Sequence, residues 1–421
     1  MAGVNFFDTH IEQHLPGFGL PFGNGFQSAG KSFYRKIINL VITITEVMIS
    51  RILEAIIQQK LATGKAIVIM GPRQTGKTTL LEKIVKQSEK SIVLNCDDPF
   101  VSNQLQGINT EQLRSIIGTH GLVFIDEAQR VKNIGLTLKL ITDQFKGVQL
   151  LVSGSSSLEI ASEINEPLTG RKWEYMLYPI SWKELYDNIG YISVLQQLEQ
   201  RIIFGMYPDV INNPGNETEV LKQLANSYLY KDLLAYKSVR KPEILDKLLR
   251  ALAFQVGNLV SYNELANLIQ VDKNTISSYI DLLEKTFVVF SLQPLSRNLR
   301  NEISASRKIY FYDTGIRNAL LNNFQPLEFR SDKGALWENF LIAERIKYLH
   351  YSRQFANLYF WRTHQQQEID WVEESAGRFK AYEFKWGKSK SKKMPSAFSE
   401  QYNCNEIEII NKDSFMPFLG I

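Results

Sequence analysis

The segment Gly71-Pro72-Arg73-Gln74-Thr75-Gly76-Lys77-Thr78 constrains this chain more than any other, because it fits G-x-x-x-x-G-K-[ST] and lies between two segments of different period. Upstream, Ala66-Ile67-Val68-Ile69-Met70 reads as a buried strand; downstream, Thr79 to Val85 spaces its apolar residues as a helix does. Strand, loop and helix stand in the order that a phosphate-binding loop requires. Gly71 and Gly76 let backbone N–H groups converge on phosphates, and the helix N-terminus adds its positive end. Pro72, Arg73, Gln74, Thr75 and Thr79 complete the expected cradle. Lys77 would reach the β- and γ-phosphates, and the Thr78 hydroxyl would be a Mg2+ ligand, so ATP and Mg2+ are the expected cofactors.

A second motif supports the first. Gly121-Leu122-Val123-Phe124-Ile125-Asp126-Glu127 is an apolar strand ending in two carboxylates, the Walker B pattern. Asp126 would hold Mg2+, usually through water, and Glu127 would polarise the attacking water; two acids after a strand also serve simply as a helix cap. Apolar strands at 66 to 70, 91 to 95, 122 to 126 and 149 to 153 alternate with helical segments, which predicts a parallel sheet in an α/β core over residues 48–190. The last of these runs into Gly154-Ser155-Ser156-Ser157 at a carboxyl end, where such sheets bind ligands, so Ser153 or Ser155 is a candidate sensor or merely part of a Ser-rich turn. Arg171, after Leu168-Thr169-Gly170, is either a surface residue or a group that stabilises charge on the transferring phosphoryl group, in its own subunit or a neighbour.

Taken together, the P-loop, Val123 to Gln129, Ser153-Gly154-Ser155 and Leu168 to Arg171 resemble the prokaryotic AAA-type ATPases joined to a C-terminal domain of unknown function. The similarity runs from about residue 48 to the end. It implies an AAA-type nucleotide-binding core and ATP hydrolysis, and leaves the cellular role open.

The 421 residues allow two or three domains, and a net charge of +4 spread along the chain permits nucleic acid as a partner without requiring it. Cys96 and Cys404 cannot form a disulfide framework, which makes a reducing cytoplasm the expected compartment. The longest apolar run, Ile37 to Ile49, is interrupted by Asn39 and Glu46, so no membrane span is expected. Residues 1–47 carry Pro16 to Phe26 without helical or strand period and read as an arm, disordered or not native to the protein, with Met48 an alternative start.

Residues 191–241 read as a helical connection, and 242–330 as a winged helix: a helix to Val256, a second at Tyr262 to Ile269 and a third from Asn274 to Lys285, then strand. Ser261 with Glu264 would form a capping box. Lys273, Asn274, Thr275 and Ser278 would open the recognition helix, and Arg297, Arg300, Arg307 and Lys308 would flank a wing that touches DNA phosphates. The alternative is a structural element packed beside the core.

In residues 331–421, Gln367 to Val372 and Ala381 to Trp386 alternate as strands, and a tight turn at Ala376-Gly377 would pair Asp370 with Glu383. Lys385 would share their face, with Ile369, Trp371, Tyr382, Phe384 and Trp386 on the other. Asp370 followed by Glu383-x-Lys385 is similar to the PD-(D/E)xK nuclease pattern, in which Asp370 and Glu383 would hold a divalent metal, Lys385 would position water, and Glu338 would add a helix-borne acid. The pattern lacks a Pro before Asp370, and opposite charges also pair on solvated sheet faces. Lys385, Lys388, Lys390, Lys392 and Lys393 form a basic run, a solvated loop or a phosphate contact. Two outputs remain: an ATPase that drives a module acting on nucleic acid, or a nucleotide-dependent switch that binds a protein partner or assembles with its own copies.

Overall fold

Short apolar runs that helices cover on both sides form parallel strands, and among the described residues five parallel strands lie between residues 66 and 176. The computed structural model describes residues 48–155, 164, 166–226, 233, 241–296, 306–363, 365–388 and 392–421. Its first elements are α1 (Ile52–Gln58), β1 (Ala66–Met70), α2 (Lys77–Val85), β2 (Ser91–Asn95), α3 (Pro99–Leu105), α4 (Thr110–Ile117), β3 (Leu122–Asp126), α5 (Ile134–Gln144), β4 (Gln149–Gly154) and β5 (Lys172–Met176). The strands lie in the order β2-β3-β4-β1-β5, all parallel. Ile67 and Ile69 of β1 pack with Leu53, Leu81 and Ile84 on one face. Ala66, Val68 and Met70 pack with Leu113, Leu138 and Ile141 on the other.

The four expected strands therefore acquire a fifth. Lys172-Trp173-Glu174-Tyr175-Met176 is only half-buried, as an edge strand is, so it lacks the apolar run that marks the others.

Next come α6 (Trp182–Ile189), α7 (Tyr191–Gln196), α8 (Leu198–Phe204), α9 (Pro208–Asn212), α10 (Glu217–Leu224), α11 (Pro242–Phe254), β6 (Leu259–Val260), α12 (Tyr262–Ile269), α13 (Lys273–Lys285), β7 (Val289–Pro294), β8 (Arg307–Phe311) and α14 (Thr314–Leu320). Ser261 stands at the N-cap of α12, but its side chain makes no capping bond, so the expected box with Glu264 does not form. The cap that does form is one helix later, where Asp272 accepts from the backbone N–H groups of Asn274 and Thr275.

The last elements are α15 (Lys333–Tyr351), β9 (Asn357–Arg362), β10 (Glu368–Ser375), β11 (Arg378–Phe384), α16 (Ser396–Tyr402), β12 (Ile407–Ile410) and α17 (Phe415–Phe418). A second sheet has the order β12-β11-β10-β9-β7-β8-β6. Because β7 pairs in parallel with β9, this sheet runs straight across the boundary expected near residue 330. One apolar cluster likewise extends from Ile180 to Leu419, and residues from Ile49 onward form one unit.

Helix α15 is buried along most of its length, including the charged Glu344, Arg345 and Lys347. Its last turn rests against the first sheet: the Met176 N–H donates to His350 Nε2 (3.2 Å), and the Tyr178 N–H donates to the Tyr351 hydroxyl (3.2 Å). Among the described residues no helix is long and apolar enough to cross a membrane. Arg297, Arg300, Lys390 and residues 1–47 lie outside the described residues.

Burial and the nearby Arg353 pull the His350 imidazole down to about 4. The unfolded chain takes up that proton near pH 6.5 while the folded chain does not, so stability falls as pH drops from about 6.5 through about 4. The wild-type Tm is expected to fall more steeply across that window than the Tm of His350→Gln, which keeps an acceptor but not the titration. Parallel curves would contradict the assignment.

Candidate functional site

The P-loop sits at the carboxyl end of β1, where β4 and β5 diverge on either side. Gly71 is required sterically: its φ is +151°, and a Cβ there would lie 2.2 Å from the Leu177 carbonyl oxygen. Gly76 adopts a left-handed φ of +89° at the start of α2, which aims the first helical N–H groups into the loop. Thr75 is buried and its hydroxyl donates to the Pro72 carbonyl (2.9 Å). Lys77 is buried too, and its ammonium donates to the carbonyls of Gly71 (2.9 Å) and Pro72 (2.8 Å). Pro72 is buried, Arg73 and Thr78 are intermediate, and Gln74 and Thr79 are exposed.

Adjacent strand ends bring the remaining groups together. The Thr78 hydroxyl donates to Asp126 Oδ2 (2.9 Å), and the buried Ser153 hydroxyl donates to Asp126 Oδ1. Glu127 has a left-handed φ of +50°, and its N–H donates to Asp126 Oδ1 (3.1 Å) and Ser153 Oγ (3.2 Å). Gln129 donates through Nε2 to Glu127 and to Ser155 Oγ (2.9 Å). Ser153 and Ser155 thus both touch the Walker B segment, one through Asp126 and one through Gln129.

One residue here carried no local signal as a site residue. Arg51, at the N-cap of α1, donates to the Thr75 carbonyl (2.6 Å) and the Tyr178 carbonyl (2.6 Å) and pairs with Glu184 (3.1 Å). It holds the loop from behind. Gln129 could have been found from its place two residues after Glu127.

Arg171 does not join this group. It precedes β5 at the amino-terminal edge of the sheet, where its carbonyl accepts from Ala66 N–H and its guanidinium pairs with Asp143 (2.7 Å). The length of β1, roughly 16 Å, separates that edge from the P-loop, so a role in its own subunit is excluded.

The second cluster lies on the other sheet. Ala376 and Gly377 both have positive φ, +51° and +75°, and close a two-residue hairpin with Ser375 opposite Arg378 and Trp371 opposite Tyr382. Continuing that register sets Asp370 opposite Glu383, and the Phe384 N–H donates to Asp370 Oδ2 (2.9 Å). A register shift between β10 and β9 falls at Ile369 to Val372. It turns Ile369 into the small cluster with Trp361, Val372 and Phe398, whereas Trp371, Tyr382 and Phe384 face the main core. The expectation that Ile369 shares their face fails because a bulge breaks the period of two.

Lys385 pairs with Glu383 Oε1 (2.7 Å) and Lys392 with Glu383 Oε2 (2.7 Å). Glu338 accepts from the Tyr310 hydroxyl (2.5 Å) and the Lys308 ammonium (3.1 Å), and Lys308 also pairs with Glu368 (2.6 Å). Lys308 is therefore not a wing residue that meets solvent; it is 2 % exposed among acids. Arg307 lies against the Tyr262 ring. Burial, with Glu338 and Glu383 nearby, pushes the Asp370 carboxyl up to about 7 against the opposing pull of Lys308. Among the described residues no group of three or more His, Cys, Asp or Glu side chains is arranged to hold a metal ion. Both Glu383 oxygens are already held by lysines and Asp370 Oδ2 by the Phe384 N–H, an arrangement that does not fit a divalent cation.

Residues 63–186 match the AAA domain family. That segment is similar to AAA-type P-loop domains. Residues 195–327 match one domain of unknown function (DUF8612), and residues 333–415 match another (DUF4143). An uncharacterized protein of Mycobacterium tuberculosis is 29% identical over 335 residues, covering 78% of this chain and 72% of the relative. An uncharacterized protein of Methanocaldococcus jannaschii is 27% identical over 318 residues, covering 70% of this chain and 69% of the relative. Among solved structures, a Walker-type ATPase of Pyrococcus abyssi aligns with a TM-score of 0.46 at 16% identity, over 66% of this chain and 97% of that one.

Gly71→Ala is expected to weaken ATP binding by roughly tenfold or more and to cost about 1–3 kcal/mol of stability through overpacking. Titration with a fluorescent ATP analogue and a thermal melt check both. Wild-type affinity would show that the close approach to Leu177 does not shape the loop.

Proposed function

We propose that this chain is a Mg2+-dependent ATPase that acts as a nucleotide-driven switch, passing the state of its P-loop to the C-terminal module through α15. The observation that carries this reading is the convergence of Lys77, Thr78, Asp126 and Glu127 at the carboxyl ends of β1 and β3, the parallel strands on either side of β4. Lys77 would exchange its two loop carbonyls for phosphate oxygens. Thr78 would hold Mg2+ directly and Asp126 through water; the ion would supply the positive charge that offsets the β- and γ-phosphates. Glu127 orients and takes a proton from the attacking water, and Gln129 fixes the rotamer of Glu127 from its other side.

The path to the C-terminal module is built from buried contacts. Arg51 ties Thr75 of the loop to Tyr178 and Glu184, and Tyr178 meets Tyr351 at the end of α15. Glu338 lies near the start of the same helix. The module's nuclease-like pattern reads as a fold that serves the switch rather than as a site of strand cleavage by Asp370, Glu383 and Lys385.

One observation favours DNA as a partner. Lys273, Asn274 and Ser278 are exposed on α13, the third helix of a segment that reads as a winged helix, and they are free to meet a phosphate backbone. A protein partner or a second copy of the chain would use the same output, and Arg171 would then serve only a neighbouring subunit's nucleotide.

Glu127→Gln keeps the shape of the site but removes the proton acceptor. ATP affinity is expected to stay near wild type while turnover falls by about 10²- to 10⁴-fold. Phosphate release measured beside equilibrium binding tests this; unchanged turnover would remove Glu127 from the mechanism and with it the hydrolytic switch.

A further inference from the structure

Four carboxylates meet at the C-terminal cluster: Glu338 from α15, Glu368 and Asp370 from β10, and Glu383 from β11. Such a group ordinarily invites a divalent cation, because buried like charges raise one another's energy until something positive joins them. Here the positive charge is already in place. Lys308 arrives from β8, three strands away from β10 in the sheet, with its side chain 2 % exposed. Its ammonium lies 2.6 Å from Glu368 Oε1 and 3.1 Å from Glu338 Oε1, and the Tyr310 hydroxyl donates to that same Glu338 oxygen. Arg362 takes the second oxygen of Glu368 (3.1 Å), and Lys385 and Lys392 take the two oxygens of Glu383.

Lys308 differs from the other two lysines in burial. Lys385 and Lys392 are 45% and 33% exposed and can swing into solvent. Lys308 cannot leave without stranding a charge in the core. A metal ion needs carboxylate lone pairs that are ionised and unoccupied; here cationic donors and the Tyr310 hydroxyl hold oxygens of Glu338, Glu368 and Glu383, and the Phe384 N–H holds one oxygen of Asp370.

We propose that Lys308 is a built-in cation that takes the role of a divalent metal at the Glu338, Glu368 and Asp370 cluster and closes the C-terminal site to Mg2+ and Mn2+. The inference rests on reading this module as nuclease-like, and it makes the residue that joins the two parts of the second sheet the reason the module does not recruit metal. The role is positional: Lys308 fixes the carboxylates and thereby the seating of α15 against β8 and β10.

Mn2+ binding to the full-length, nucleotide-free chain, followed by the EPR signal of free Mn2+, tests this. Asp370→Asn identifies binding at the cluster and subtracts any at the P-loop. Wild type is expected to show no Asp370-dependent site up to about 1 mM Mn2+. Lys308→Met is expected to gain one such site about tenfold tighter or more, lost again when Asp370→Asn is added. Lys308→Gln, which retains a donor but not the charge, is measured if Lys308→Met does not fold. An Asp370-dependent site in wild type, or a folded Lys308 variant that gains none, overturns the proposal; if neither variant folds, the wild-type measurement decides alone. The readout is metal occupancy, so it stands apart from ATP turnover in Glu127→Gln, and failure of one does not imitate failure of the other.

Discussion

The rest of the structure depends on the burial of α15 with its charges satisfied. Glu344 accepts from the Trp182 N–H (2.6 Å) and pairs with Lys347 (2.6 Å), whose ammonium also donates to the Ile180 carbonyl (3.1 Å). These are fully buried ions, and neither could be tolerated there without the other and without the backbone groups they hold. The residue after Glu344, Arg345, forms a two-pronged pair with Glu373 of β10 (2.6 and 2.8 Å). A single helix is thereby bonded to the segment that leads out of the first sheet and to an interior strand of the second. The fourteen residues from Glu338 to Tyr351 span roughly 20 Å.

That arrangement explains why the nucleotide loop and the carboxylate cluster belong to one mechanical unit. Behind the P-loop, Arg51 grips the Thr75 carbonyl, and its other contacts, Tyr178 and Glu184, lie beside the end of α15. In front of the far end, Glu338 is locked by Tyr310 and Lys308. On the proposed reading, phosphate binding that draws Lys77 off its two carbonyls would also disturb the loop backbone that Arg51 holds. The shift has a packed route outward because α15 has little room for independent movement.

The nucleotide site was legible in the sequence because its chemistry is local: glycines at fixed offsets, a lysine, and acids at the end of an apolar strand. The hairpin was legible for the same reason, since Ala376-Gly377 sets its register and so sets Asp370 opposite Glu383. What stayed hidden depended on long-range packing. Nothing in the residues around Arg51 or Lys308 announces a partner more than a hundred residues or several strands away. Ser261 and Glu264 have the spacing of a capping box without its geometry, and the bulge that turns Ile369 away, an extra residue of β10 between Ile369 and Val372, shows only in how β10 pairs with β9. Arg171 followed a motif-like Leu-Thr-Gly, but the fifth strand, too polar to stand out, places it at the wrong end of the sheet.

The central claim is that ATP occupancy is felt at the carboxylate cluster through α15. Amide hydrogen exchange on the full chain, with and without Mg2+ and a non-hydrolysable ATP analogue, tests it most directly. The account predicts slowed exchange at residues 71–79 accompanied by altered exchange in the last turns of α15 and in the β10–β11 hairpin. Protection confined to the phosphate loop and residues 126–129, with α15 and the hairpin unchanged, would contradict it.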